Sequence, residues 1–182
     1  RNYWMPLLAG EQEEDLLHVC VVAPPYPYDA ASGLPMEAPR AIPKDARCPV
    51  CGMYPERSPA WAAQVIYRDG GVHYFDSPID LMQFLNNVPG FSPGYTRADI
   101  LSAWVRYGRT GQWLPHHKAW YVHGSDALGP MRMGDLPAFP TREAAQEFAS
   151  RRGGKVLSFE GVTPSILKSL SSDRSHAMHE HM

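Results

Sequence analysis

The chain has 182 residues, 44% of them hydrophobic, with 17 basic against 19 acidic side chains. That length suits one domain or two small related lobes around a real core, and the near-balanced charge offers no footprint for nucleic acid. No apolar run reaches the roughly 20 residues that a membrane span needs.

The first residue is Arg1, which reads as a processed product from which a signal or anchor has been removed. A short apolar segment surrounds Leu16 to Val22. Cys20 follows the bulky Val19 and so lacks a lipid-anchor motif. Six prolines between Val21 and Arg47 predict an extended arm, since proline fixes φ and donates no N–H. Tyr26 and Tyr28 give that arm apolar surface with which to pack along the body.

The body opens at Cys48-Pro49-Val50-Cys51-Gly52-Met53. Trp61 to Tyr67 reads as a strand, Asp69-Gly70-Gly71 as a tight turn, and Val72 to Phe75 as the returning strand. Ser77 then caps a helix with Pro78 at its first position and Asp80 at its third, and Leu81, Phe84 and Leu85 form its buried face. A second helix is predicted from Thr96, closed by Asp99, striped by Ile100, Leu101, Trp104 and Val105, and ended by Gly108. Lys118 to His123 reads as a strand. Thr141 caps a helix through Arg152 with Ala144, Ala145, Phe148 and Ala149 inward, and Gly153-Gly154 stops it. Val156 to Phe159 is a strand, Pro164 to Leu170 a last helix, and Ser171 to Met182 a polar, mobile tail.

Two segments match: Phe75 to Phe84 and Phe139 to Phe148. Each has an aromatic at a strand end, a hydroxyl cap, an acid in the first helical turn and a closing Phe. Any strand–cap–helix junction shares part of this pattern, but the strands preceding both copies favour a true repeat. The fold class is therefore α+β, with two related small lobes of strand–strand–helix–strand type. The predicted divisions are residues 1–46 for the arm, 47–112 for the first lobe, 113–170 for the second, and 171–182 for the tail. Between Val122 and Phe139 the second copy carries about eight residues more than the first, including Gly129-Pro130-Met131-Arg132-Met133-Gly134. This loop is a candidate second half of a metal site, or simply an adaptable apolar filler.

Three chemistries compete at the cysteine motif. A structural zinc knuckle needs four ligands, and the chain has three cysteines and no second CxxC. A redox CxxC should open a helix, which Pro55 and Pro59 oppose, although a Cys48–Cys51 disulfide remains available as an inactive oxidised state. Cu(I) prefers sulfur and accepts low coordination numbers, and Met53 adds a neutral soft ligand. The tail segment His176-Ala177-Met178-His179-Glu180-His181-Met182 adds imidazole and thioether donors suited to copper capture, or is a terminal remnant. His116, His117 and His123 are further candidates, each as readily structural.

Cys48 to Met53, Phe75-Asp76-Ser77, Ala119 to Val122, Gly129-Pro130-Met131, Pro137 to Phe139 and Gly153-Gly154 together resemble the NosL family, from about Arg47 to Gly161. The resemblance implies a two-lobed, non-enzymatic Cu(I) carrier serving nitrous oxide reductase in denitrification. It also implies an exported, periplasmic and membrane-anchored protein that passes copper to the reductase through a membrane transporter complex of ABC type. By position, it implies Cys48, Cys51 and Met53 as the copper motif and Met131 as a partner from the second lobe. Met133, His123, His176, Met178, His179 and His181 complete the candidate ligand set. Zn(II) is a possible occupant in vitro, and a monomer is expected. The fold is also similar to organomercurial lyase, which cleaves carbon–mercury bonds with cysteines and a carboxylate. A zinc-knuckle scaffolding module is the remaining alternative.

Overall fold

All five residues of strand β1 (Ala63–Tyr67) are buried. A strand covered on both faces also needs hydrogen-bonding neighbours along its edges, because unpaired buried N–H and C=O groups are costly. In the computed structural model, which describes residues 23–171, β1 has such neighbours on both sides. It pairs antiparallel with β2 (Val72–Phe75), from Ala63 opposite Phe75 to Ile66 opposite Val72. Helix α1 (Pro78–Asn86) follows, with the Ser77 hydroxyl accepting from the Asp80 N–H, and then the short α2 (Val88–Phe91).

The other edge of β1 is taken by β3 (Ile100–Arg106), with Gln64 opposite Trp104 and Val65 opposite Ala103. This overturns the helix expected from Thr96 to Gly108. The Thr96–Asp99 capping box does form, but it closes only a single 3-10 turn over Arg97–Asp99. Beyond it Ala103 and Val105 turn into the core while Leu101 stays 37% exposed. The burial period is therefore two, and the demand of β1 for a second partner outweighs a helical stripe of four apolar residues. A further strand, β4 (Trp113–Pro115), pairs with β3. Those residues, assigned by the sequence to the second lobe, thus complete the first sheet, whose order is β2-β1-β3-β4.

The second sheet has the order β6-β5-β7. β5 (Trp120–His123) is central, β6 (Ala138–Phe139) and β7 (Lys155–Leu157) flank it antiparallel, and α3 (Arg142–Arg152) connects the two edges. Thr141 caps α3 by accepting from the Ala144 N–H at 3.1 Å, as Ser77 caps α1. Both units run strand–strand–helix–strand, with the first strand in the middle, so the repeat inferred from Phe75–Phe84 and Phe139–Phe148 is a repeat of topology. A last helix, α4, covers residues 164–171. One apolar cluster joins the lobes and includes Val65, Phe75 and Phe84 of the first and Tyr121, Leu136 and Leu167 of the second. Among the described residues no helix is long and apolar enough to cross a membrane.

The proline-rich arm packs as a strap along the first sheet. Tyr26 bridges to Val72 through two backbone hydrogen bonds of 2.8 Å. The buried Gln64 amide exchanges two bonds of 3.0 Å with the backbone of Arg40, standing in for a neighbouring strand. Beneath the first sheet, His73 is 2% exposed, meets Ser92 Oγ at 2.8 Å and lies against the rings of Tyr67 and Phe84.

Burial pushes the His73 imidazole down to about 4. A folded-state value below the unfolded one means the neutral form is favoured, so the associated stability is whole above about 6.5 and is lost as pH falls from there through 4. The shift corresponds to about 3 kcal/mol. Urea denaturation at pH 7 and pH 4 is expected to show that loss. His73→Gln should flatten the acid slope by a comparable amount, leaving the part contributed by His116, which burial also pushes down to about 4.

Candidate metal centre

The cysteine motif is a closed turn. The Cys48 N–H donates to the Met53 carbonyl at 2.8 Å, and the Gly52 N–H donates to the Cys48 carbonyl at 2.8 Å. Gly52 sits at φ +75°, a left-handed conformation that glycine adopts without a side-chain penalty. Arg47 fastens the outside of the turn by donating from Nε to the Gly52 carbonyl at 3.0 Å. The Arg47 and Arg57 guanidinium groups both lie over the Tyr54 ring, at 5.4 and 4.5 Å.

This turn rests against the first turn of α1 and brings Cys48, Cys51 and Asp80 together, with Sγ, Sγ and a carboxylate oxygen all within 4.8 Å of one another. It is the single group of three or more His, Cys, Asp or Glu ligand atoms among the described residues that is this compact. Cys48 and Asp80 are each 1% exposed and Cys51 is half-buried, so access runs past Cys51. Both thiols are free. The Cys48 S–H donates to Asp80 Oδ2 at 3.8 Å. The Cys51 thiol is pushed far up, first by its hydrogen bond with Cys48, then by burial and by the negative charges available to Cys48 and Asp80. A metal ion bound by the two sulfurs has to displace the thiol protons, because cysteine ligates as thiolate.

Asp80 is the member of this candidate site that sequence reasoning missed. Its place at the third helical position gave it a capping role, which hid a second one. The available signal was its setting: Pro78, Ile79, Leu81 and Met82 around it are all buried, and an aspartate inside such a turn requires a partner.

The remaining candidates lie elsewhere. Met53 ends the turn and is 42% exposed. Met131 and Met133 are half-buried on a hairpin closed by the Leu128–Gly134 bridge, with the Gly129 N–H donating to the Met133 carbonyl at 2.8 Å. Leu136, just past that hairpin, belongs to the same apolar cluster as Cys48. His123 ends β5 opposite Lys155 and stands outside the compact group. His116 is structural: Nδ1 lies 3.2 Å from the Ala103 carbonyl and the ring meets Phe159 edge-on at 4.8 Å. His176, Met178, His179 and His181 lie outside the described residues.

Comparison with known proteins adds two findings. The family model described as NosL matches residues 39–167. The crystal structure of the copper chaperone NosL from Shewanella denitrificans is similar in fold, with TM-score 0.58 at 23% identity over 72% of this chain and 99% of that one. No curated protein sequence matches.

Proposed function

The chain belongs to the NosL family, and from that premise and the Cys48–Cys51–Asp80 cluster we propose that it is a non-enzymatic Cu(I) carrier. The observation that carries this reading is a pair of free thiols, one buried and one half-exposed, held beside a buried carboxylate at the lobe surface. Two thiolates supply the soft donors that Cu(I) prefers. A carboxylate is a hard donor and a poor ligand for Cu(I), so Asp80 contributes charge and a proton-accepting oxygen. Met53 and Met131 are the exchangeable thioether ligands of this reading, Met133 and His123 secondary ones, and the tail residues His176, Met178, His179 and His181 an outer capture site. The name of the structural relative supports copper as cargo. We extend the reading to delivery toward nitrous oxide reductase through an ABC-type membrane complex, by a monomeric, periplasmic and membrane-anchored protein.

The test is anaerobic titration of the reduced protein against a Cu(I) chelator, with Zn(II) competition alongside. The expected result is tight one-to-one Cu(I) binding that Zn(II) does not displace. Zinc retention with little copper affinity would sink the carrier reading. A second reading is favoured by one observation: thiols flanking a buried carboxylate also suit cleavage of a carbon–mercury bond, with two thiolates taking the metal and a carboxyl proton passing to carbon. Methane release from methylmercury would establish it.

A further inference from the structure

A cavity of about 270 Å³ opens where the two lobes meet. None of Cys48, Cys51 and Asp80 lines it. One wall is aromatic and continuous: Tyr107 lies 5.8 Å from Phe139, and Phe139 lies 4.9 Å from Phe148, ring centre to ring centre. Trp61 faces the same space from the first lobe.

The rim is cationic. Arg106, Arg109 and Arg151 line the cavity with a single carboxylate, Glu147. Glu147 pairs with Arg151 at 3.6 Å, and both side chains are well exposed there, so that contact is a weak competitor for an incoming anion. Among the described residues, neither Arg106 nor Arg109 has a carboxylate partner. Arg106 is held by its bond to the Gly111 carbonyl at 3.0 Å and by the Trp113 ring at 4.9 Å. Arg109 rides on a tight turn, closed by the Tyr107 N–H to the Gln112 carbonyl and the Gly111 N–H to the Tyr107 carbonyl, each 2.8 Å. The site thus combines apolar surface at depth with guanidinium groups at the mouth, the pattern that orients a small ligand and fits a carboxylate in bidentate fashion.

We propose that this cavity between the lobes binds a small amphipathic carboxylate, its apolar body against Tyr107, Phe139 and Phe148 and its charged end on Arg109 and Arg151. Because the cavity is lined from both lobes, an occupant bridges them. Pro78, the first residue of α1, is part of the lining, which places the occupant beside the helix that carries Asp80. The proposal is independent of copper binding.

The probe is 4-phenylbutyrate, titrated calorimetrically into the intact, reduced, metal-free protein, with 4-phenylbutyramide as the neutral control. Saturable one-to-one binding of the acid is expected, with the amide at least about tenfold weaker because the charge-assisted bonds are lost. The double variant Arg109→Ala/Arg151→Ala should weaken the acid by about tenfold or more, and Glu147→Gln should tighten it by removing the competing carboxylate. These positions are on the surface, and unchanged thermal melts will show that the variants fold. Cys48→Ser should leave the affinity for the probe unchanged. Absence of saturable binding up to roughly 10 mM, equal binding of acid and amide, or indifference to the arginine substitutions would each overturn the proposal.

Discussion

Replacing Cys48 with serine is expected to weaken Cu(I) binding by more than about a hundredfold, since loss of even a supporting residue around a metal costs ten to a hundredfold and Cys48 would be a direct soft ligand. Asp80→Asn is expected to act in the opposite direction. When two thiols bind one Cu(I), two protons leave and one positive charge arrives, so the site becomes more negative by one. A carboxylate within 4.8 Å of both sulfurs opposes that change. At about 4 Å and an effective dielectric constant near 20 the opposition is about 4 kcal/mol, and the half-exposed Cys51 side screens part of it. Asp80→Asn should therefore tighten Cu(I) binding by about tenfold at neutral pH and make Cys51 react faster with iodoacetamide, because the negative neighbour that helps hold its thiol protonated is gone. Chelator competition at several pH values reads the first effect and timed alkylation the second. If Asp80→Asn instead weakens binding, the carboxylate is a ligand and the charge argument fails.

Gly154→Ala is expected to destabilise the fold by about 2–5 kcal/mol. Gly154 has φ +99°, and a Cβ there would stand 2.8 Å from the His123 carbonyl oxygen, 2.8 Å from Val122 Cγ1 and 2.9 Å from the Ser125 N. Two of those three atoms are backbone and cannot step aside without opening the β5–β7 pairing that begins at His123 and Lys155. A non-glycine residue at such a φ costs about 1–2 kcal/mol, and overpacking adds about 1–3 kcal/mol. At the neighbouring Gly153, with φ +80°, an added Cβ would meet nothing within 4 Å, so Gly153→Ala should cost only the conformational part. Urea denaturation of both variants separates the two contributions; equal losses would remove the close-approach argument.

Local signals proved reliable where the physics is local. Ser77 and Thr141 each cap a helix, and both caps are observed with the oxygen accepting from the N–H three residues on. Gly153-Gly154 ends α3, and Asp69-Gly70-Gly71 turns β1 into β2. The Thr96–Asp99 box was equally real and yet misleading, because a cap states where a turn begins and not how long it continues. Ile100 to Arg106 satisfies a helical stripe and a two-residue alternation almost equally well, and the choice was made by the unpaired edge of β1. The strap formed by residues 26–46 was half legible: its prolines marked it as extended, but the Gln64 amide that fixes Arg40 lies 24 positions away. For the candidate site, the spacing of Cys48 and Cys51 and the glycine between Cys51 and Met53 were readable, whereas Asp80 looked like a helix cap.

By itself the sequence determined the helix caps and the tight turns, since each depends on residues within about a turn of one another. Only the tertiary structure decided which side chains come together in the candidate metal centre and what surrounds them. Cys48 and Asp80 are 32 positions apart and meet at 3.8 Å because the motif turn packs on the first turn of α1. The cavity between the lobes was equally invisible in one dimension, since its aromatic wall and its arginines come from segments spread from Ala60 to Arg151. The meeting has a chemical consequence at Cys51, whose thiol is pushed up by its hydrogen bond with Cys48, by burial and by the charges available to Cys48 and Asp80.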